Sequence, residues 1–232
     1  GLATSLFERM LALHGDPVRQ MLREQYRMNA ELMELPSRTF YGGELRAQPS
    51  VAGRTLATVL PGTTLDAPPL LFLDSAGKGW EEVSPQGSES LENPGEAEAV
   101  IARVRALLIA GLAAEQIAVI TPYRAQAARI APLLEPLGVE VDTVDAFQGR
   151  EAEAVLVSCV RSNTEGRLGF LTDLRRMNVA LTRAKVHAFV VGDSATLGHH
   201  PFYGALIERA QALGGYRSAW EWSEIGDAAK FA

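Results

Sequence analysis

The 232-residue chain carries 22 lysines and arginines against 28 aspartates and glutamates, a formal net charge of −6, with 47% apolar residues and a mean hydropathy of +0.02. That balance excludes a disordered tail and a domain that holds nucleic acid by bulk electrostatics. No apolar run approaches the ~18 residues of a membrane span, no basic-then-apolar leader opens the chain, and the single Cys159 excludes an intrachain disulfide and a zinc cluster, so the reading is of a cytoplasmic protein with no membrane partner and no metal site.

In chain order, the first segment to stand out is Leu22 to Asn29. Gln25, Tyr26 and Arg27 place a guanidinium, whose planar fork donates two parallel hydrogen bonds to a phosphate, beside a ring that can stack on a base. The same pair also reads as a packed aromatic next to a solvated charge. Gly42 to Pro69, rich in Gly, Pro and Thr, is expected as a long excursion with one edge strand; Leu70 to Asp74 predicts a buried strand, and Gly77 to Pro94 a polar loop. Asn93-Pro94-Gly95-Glu96 reads as an N-cap, a first-turn proline and a reciprocal glutamate. They open a helix with an apolar stripe through Val100, Val104, Leu107 and Leu108 that ends near Gly111.

Ile117 to Thr121 predicts the next strand. Thr121 is expected to cap the helix that continues through Ile130 and Leu133 to Leu134, and the free amides of such a helix start attract phosphate. Val139 to Val144 predicts a strand leading into a turn where Gly149 permits close backbone approach and Glu151 is placed to accept from a ribose hydroxyl. An ordinary turn with a solvated glutamate fits those residues equally. Ala154 to Val160 and Ala188 to Gly192 predict two further strands. Between them, helical spacing over Asp173 to Lys185 puts Leu174, Met177, Leu181 and Ala184 on one face and Arg176 and Arg183 on another, an arrangement that an amphipathic helix with a basic solvent side also produces. His14, His187, His199 and His200 make no ligand or triad pattern and are read as structural. Strands alternating with helices predict an α/β fold, a doubly wound and mostly parallel sheet, with ligands outside the carboxyl ends of the strands.

Six strings, taken in order, resemble the C-terminal motor domain of superfamily 1B RNA/DNA helicases, the group typified by the nonsense-mediated-decay and immunoglobulin-mu-binding helicases. They are Ser5 to Arg9, Gln25 to Met28, Thr121 to Gln126, Val144 to Glu151, Ser158 to Asn163 and Asn178 to Lys185. The resemblance runs from about Ser5 to about Leu197. It implies a RecA-like domain over residues 1–216 and a tail over 217–232, packed on the domain or partly disordered. It further implies Arg27 and Arg183 as catalytic groups at the γ-phosphate, with Arg183 the arginine finger. Gln25, Tyr26, Arg27, Gly149, Glu151 and Arg183 become the nucleotide-binding set, Tyr26 near the adenine and Glu151 on the ribose. Thr121, Pro122, Tyr123, Thr143, Arg161 and Asn163 become contacts to single-stranded DNA or RNA. ATP and Mg²⁺ are the expected cofactors of the intact protein, the Mg²⁺ held by an N-terminal RecA-like partner domain. The phosphate-loop pattern G-x-x-x-x-G-K-[ST] does not occur in the chain, which the resemblance reads as starting just after that first domain, and no appreciable ATP hydrolysis is expected from these residues alone. A stand-alone RecA-like module that binds nucleic acid or scaffolds a partner is the alternative.

Overall fold

The computed structural model describes residues 6–15, 20–147 and 149–222. Helix α1 (Leu6–His14) comes first, and then β1 (Glu24–Gln25) leads into α2 (Ala30–Phe40). The excursion after α2 holds a short strand, as expected, but β2 (Arg46–Ala47) pairs in parallel with β1 in a separate two-stranded sheet, and the single-turn helices α3 (Pro49–Ala52) and α4 (Leu56–Val59) come after it.

The main sheet is built from β3 (Leu70–Asp74), β4 (Ile117–Thr121), β5 (Glu140–Thr143), β6 (Ala152–Ser158), β7 (Ala184–Gly192) and β8 (Tyr216–Ser218). All neighbours are parallel, in the order β5-β4-β6-β7-β3-β8. Every residue of β3, β4 and β6 is buried, which is why their sequences run apolar without alternation. Successive side chains point to opposite faces and feed two cores. Phe72, Ile120, Val155 and Val190 pack with Leu32 of α2, Met177 of α7 (Leu174–Leu181) and Leu206 of α8 (Pro201–Ala212). Leu71, Val119, Leu156 and Phe189 pack on the other face with Val104 of α5 (Pro94–Ile109) and Ile130 of α6 (Arg124–Leu134). The doubly wound α/β architecture is therefore as the alternation of elements predicts.

Several local expectations are corrected. Asn93 does cap α5, its side chain accepting from the Glu96 amide, but the Glu96 carboxyl does not return to the cap; it turns inward to Ser158 and Val160. Thr121 is not the cap of α6. It pairs with Thr143 as the last residue of β4, because the proline after it holds it extended, and Tyr123 occupies the cap position. Helix α7 stops at Leu181, since the Arg183 carbonyl is taken by the Ala152 amide and Ala184 already belongs to β7. Arg176 and Arg183 thus share no helix face: Arg176 pairs with Asp145 at 3.0 Å, and Arg183 lies in the turn after the helix. Strand β8 spans the boundary placed between residues 216 and 217, and Trp222 packs against Phe189 at 5.9 Å between ring centroids, so the tail is part of the fold as far as 222; its remainder lies outside the described residues. Among the described residues, no helix is long and apolar enough to cross a membrane.

Candidate nucleotide and nucleic-acid edges

The parallel sheet separates the candidate residues into two groups on opposite edges. Glu151 directly precedes β6 and Arg183 directly precedes β7, so both stand at the amino-terminal ends of the two central strands. Arg27 joins them there, because the Asn29 amide donates to the Lys185 carbonyl. The Arg27 Nε meets Glu151 Oε2 at 2.5 Å, and its Nη1 donates to the Thr182 carbonyl at 3.0 Å, next to Arg183. Lys185 takes the other Glu151 oxygen at 3.1 Å and approaches Glu153 at 3.8 Å, which pairs with Arg54 at 2.9 Å. Glu151 is held below the usual carboxylate range, first by its hydrogen bond from Arg27. Arg183 Nη1 donates to the Arg150 carbonyl at 3.1 Å while its Nε is buried without a hydrogen-bond partner. Burial and the neighbouring Arg27 charge both lower the pKa of Arg183. Four cations, Arg27, Arg54, Arg183 and Lys185, here face two carboxylates in a chain whose total charge is negative.

Tyr26 directly precedes Arg27 in the chain and is 65% exposed, its hydroxyl donating to Glu24 at 3.1 Å. Gln25 plays a different part. Its Oε1 accepts from the Arg27 and Met28 amides and its Nε2 donates to the Met28 carbonyl, so it shapes the turn that presents Arg27. Gly149 adopts φ +84°, the left-handed conformation that suits glycine, and an added Cβ would meet no atom within 4 Å. Gln148, within the same matched string, lies outside the described residues, as does Ser5 of the first string.

The second group gathers at the carboxyl-terminal ends of β4, β5 and β6. Thr121 and Thr143 end adjacent strands in register, with Pro122 and Tyr123 immediately after. Thr121 and Tyr123 are buried, and Tyr123 packs on the exposed ring of Phe170 at 5.4 Å. Arg161 is also buried, its Nε 3.0 Å from Glu82. The same Glu82 oxygen accepts from the Ser162 amide and from the Asn163 side chain. Below this loop Val160 sits at φ +71°, an outlier for a β-branched residue that costs on the order of 1–3 kcal/mol. Its amide donates to Glu96 Oε2 at 2.7 Å and its carbonyl accepts from the Asn93 side chain at 3.2 Å.

Residues 2–195 match the family model described as an AAA domain. The rat DNA-binding protein SMUBP-2 (Rattus norvegicus) is 43% identical over 227 residues, 96% of this chain and 23% of its own. The DNA polymerase alpha-associated DNA helicase A of Schizosaccharomyces pombe is 42% identical over 202 residues, 83% of this chain and 31% of its own. The ATP-dependent helicase NAM7 of Saccharomyces cerevisiae is 39% identical over 216 residues, 89% of this chain and 22% of its own. The chain belongs to the superfamily 1 helicases. It spans less than a third of the length of each of these relatives.

Three residues of this helicase domain are not among the candidates that the motifs single out. Lys185 closes the Asn178 to Lys185 string, and its pairing with Glu151 and Glu153 becomes visible only with β7 beginning at Ala184. Glu82 and Glu96 leave no such trace, because their partners lie about 80 and 62 to 64 positions away. Burial raises the Glu96 carboxyl to about 8, against hydrogen bonds from Ser158 and Val160 that lower it.

Proposed function

We propose that this domain is the arginine-finger half of an ATP-driven motor on single-stranded nucleic acid, its amino-terminal edge closing on ATP held by a second RecA-like domain. The observation that carries the reading is the convergence of Arg27 and Arg183, from segments more than 150 residues apart, on one cation-rich edge. In phosphoryl transfer, charge spreads over the oxygens of the transferred phosphoryl group and onto the leaving diphosphate, and preorganised guanidiniums stabilise it. Arg27 and Arg183 supply them, Tyr26 stacks near the adenine, Glu151 receives the ribose hydroxyls and Gly149 admits the sugar-phosphate close to the backbone. For Arg27 to reach phosphate it must release Glu151, and Lys185 then keeps that carboxylate neutralised. The cluster offers arginine and lysine nitrogens, with its carboxylates already paired, and so does not fit Mg²⁺; the metal is assigned to the partner domain.

The carboxyl-terminal edge is assigned to DNA or RNA. With Thr121, Tyr123 and Arg161 buried, the contacting groups are Pro122, Thr143 and the backbone around Asn163, while Arg161 braces the loop from within. Backbone contacts of this kind carry little sequence information, so binding should be sequence-tolerant. Alone, the domain is proposed to hydrolyse no appreciable ATP.

The test is steady-state ATPase and strand binding in the full-length protein carrying Arg27→Ala or Arg183→Ala. Each variant should lose about 10³-fold or more in kcat while retaining oligonucleotide affinity and melting temperature. Near-normal turnover in Arg183→Ala removes the finger role.

A further inference from the structure

We propose that Glu96 is a positioning residue for the nucleic-acid edge, its buried carboxyl pinning the strained turn at Val160 and through it setting the loop from Arg161 to Asn163. The inference rests on the assignment of that edge to nucleic acid. Glu96 stands in the first turn of α5, fully buried, where an apolar side chain would ordinarily be expected. One oxygen accepts from both Ser158 Oγ and the Val160 amide at 2.7 Å, and the other, Oε1, has no hydrogen-bond partner. Ser158 Oγ in turn accepts from Gln126 Nε2 at 2.8 Å, and Gln126 is clamped to the Asn93 backbone through both ends of its amide. Asn93 closes the circuit by donating to the Val160 carbonyl.

Both backbone groups of Val160 are therefore held by side chains from the start of α5. A β-branched residue stays in the left-handed region only when its surroundings over-determine it, and such strain marks places where the backbone direction matters. The turn leads directly into the loop whose three successive residues lock onto Glu82, with Ser162 and Asn163 also held by Asp193 and Thr196. Without the Glu96 acceptor, the Val160 and Ser158 donors are left unsatisfied in the interior, and the turn is free to relax to an extended conformation that carries Arg161 away from Glu82.

The experiment compares Glu96→Ala and Glu96→Gln in the full-length protein by affinity for a labelled oligo-dT strand, KM for ATP and hydrogen exchange at residues 160 to 163. Glutamine places an amide oxygen where Oε2 stands, so Glu96→Gln should match the wild type in all three. Glu96→Ala should weaken strand affinity about tenfold and speed exchange in the loop by a similar factor, with exchange in β6 and KM for ATP unchanged. Equal losses in strand affinity and KM, or unchanged loop exchange in Glu96→Ala, overturn the proposal. So does a glutamine variant as impaired as alanine. A wild type that ignores the strand refutes the assignment of the edge, and the exchange comparison still decides whether Glu96 holds the loop.

Discussion

His187 shows how one buried residue sets a pH dependence. Its Nε2 lies 3.2 Å from an Arg103 Nη that can only donate, so Nδ1 carries the proton and donates to the Pro68 carbonyl at 2.7 Å. The ring is neutral, and burial together with the Arg103 charge lowers its pKa from 6.5 to about 3. Because the folded value lies below the unfolded one, this contribution to stability is complete above pH 6.5 and is lost as pH falls towards 3, at about 1.4 kcal/mol per unit. The imidazole NMR signals of His187 should therefore keep their neutral shifts down to about pH 4; a midpoint near 6.5 would show that the ring is not buried beside Arg103. The histidine was legible as structural from its sequence context, but the arginine beneath it was not, since 84 residues separate them.

At the scale of elements, legibility follows burial. Strands β3 and β4 end where the apolar runs end, because both faces of a central strand need apolar side chains. Strand β8 is three half-buried residues at the sheet edge, and nothing in Tyr216-Arg217-Ser218 distinguishes it from a tail. The start of β7 was obscured for another reason: Leu181 and Ala184 satisfy a helical stripe as well as the helix end and strand start that the Ala152 pairing imposes. Docking of β8 depends on Gly215, where an added Cβ would collide with the Leu70 carbonyl oxygen. Gly215→Ala should displace β8 and the Trp222 contact beyond it, costing about 1–3 kcal/mol by chemical denaturation and red-shifting the tryptophan emission; an unchanged midpoint would mean that the edge strand adds nothing to the fold.

At the scale of the molecule, a parallel sheet places the two proposed functional edges at opposite ends of its strands. The Thr121 to Asn163 group stands at the strand carboxyl ends, where ligands of doubly wound sheets are generally expected, whereas Arg27, Glu151 and Arg183 stand at the amino-terminal ends. Motif strings single out the candidate residues but do not say on which edge each stands, because the Gly149 turn runs from the end of β5 back to the start of β6. The two edges are joined through β6 itself, which begins after Glu151 and ends at Ser158, two residues before the strained turn. In the proposed motor, β6 is the rigid link between the nucleotide edge and the nucleic-acid edge. The central claim is tested most directly by the structure of the full-length protein with ATP replaced by a transition-state analogue such as ADP and aluminium fluoride. The account predicts the Arg27 and Arg183 guanidiniums within about 3 Å of the fluoride ligands, with Glu151 turned to the ribose and Lys185. Arg27 still on Glu151, and Arg183 still on the Arg150 carbonyl, beside a bound analogue would contradict it.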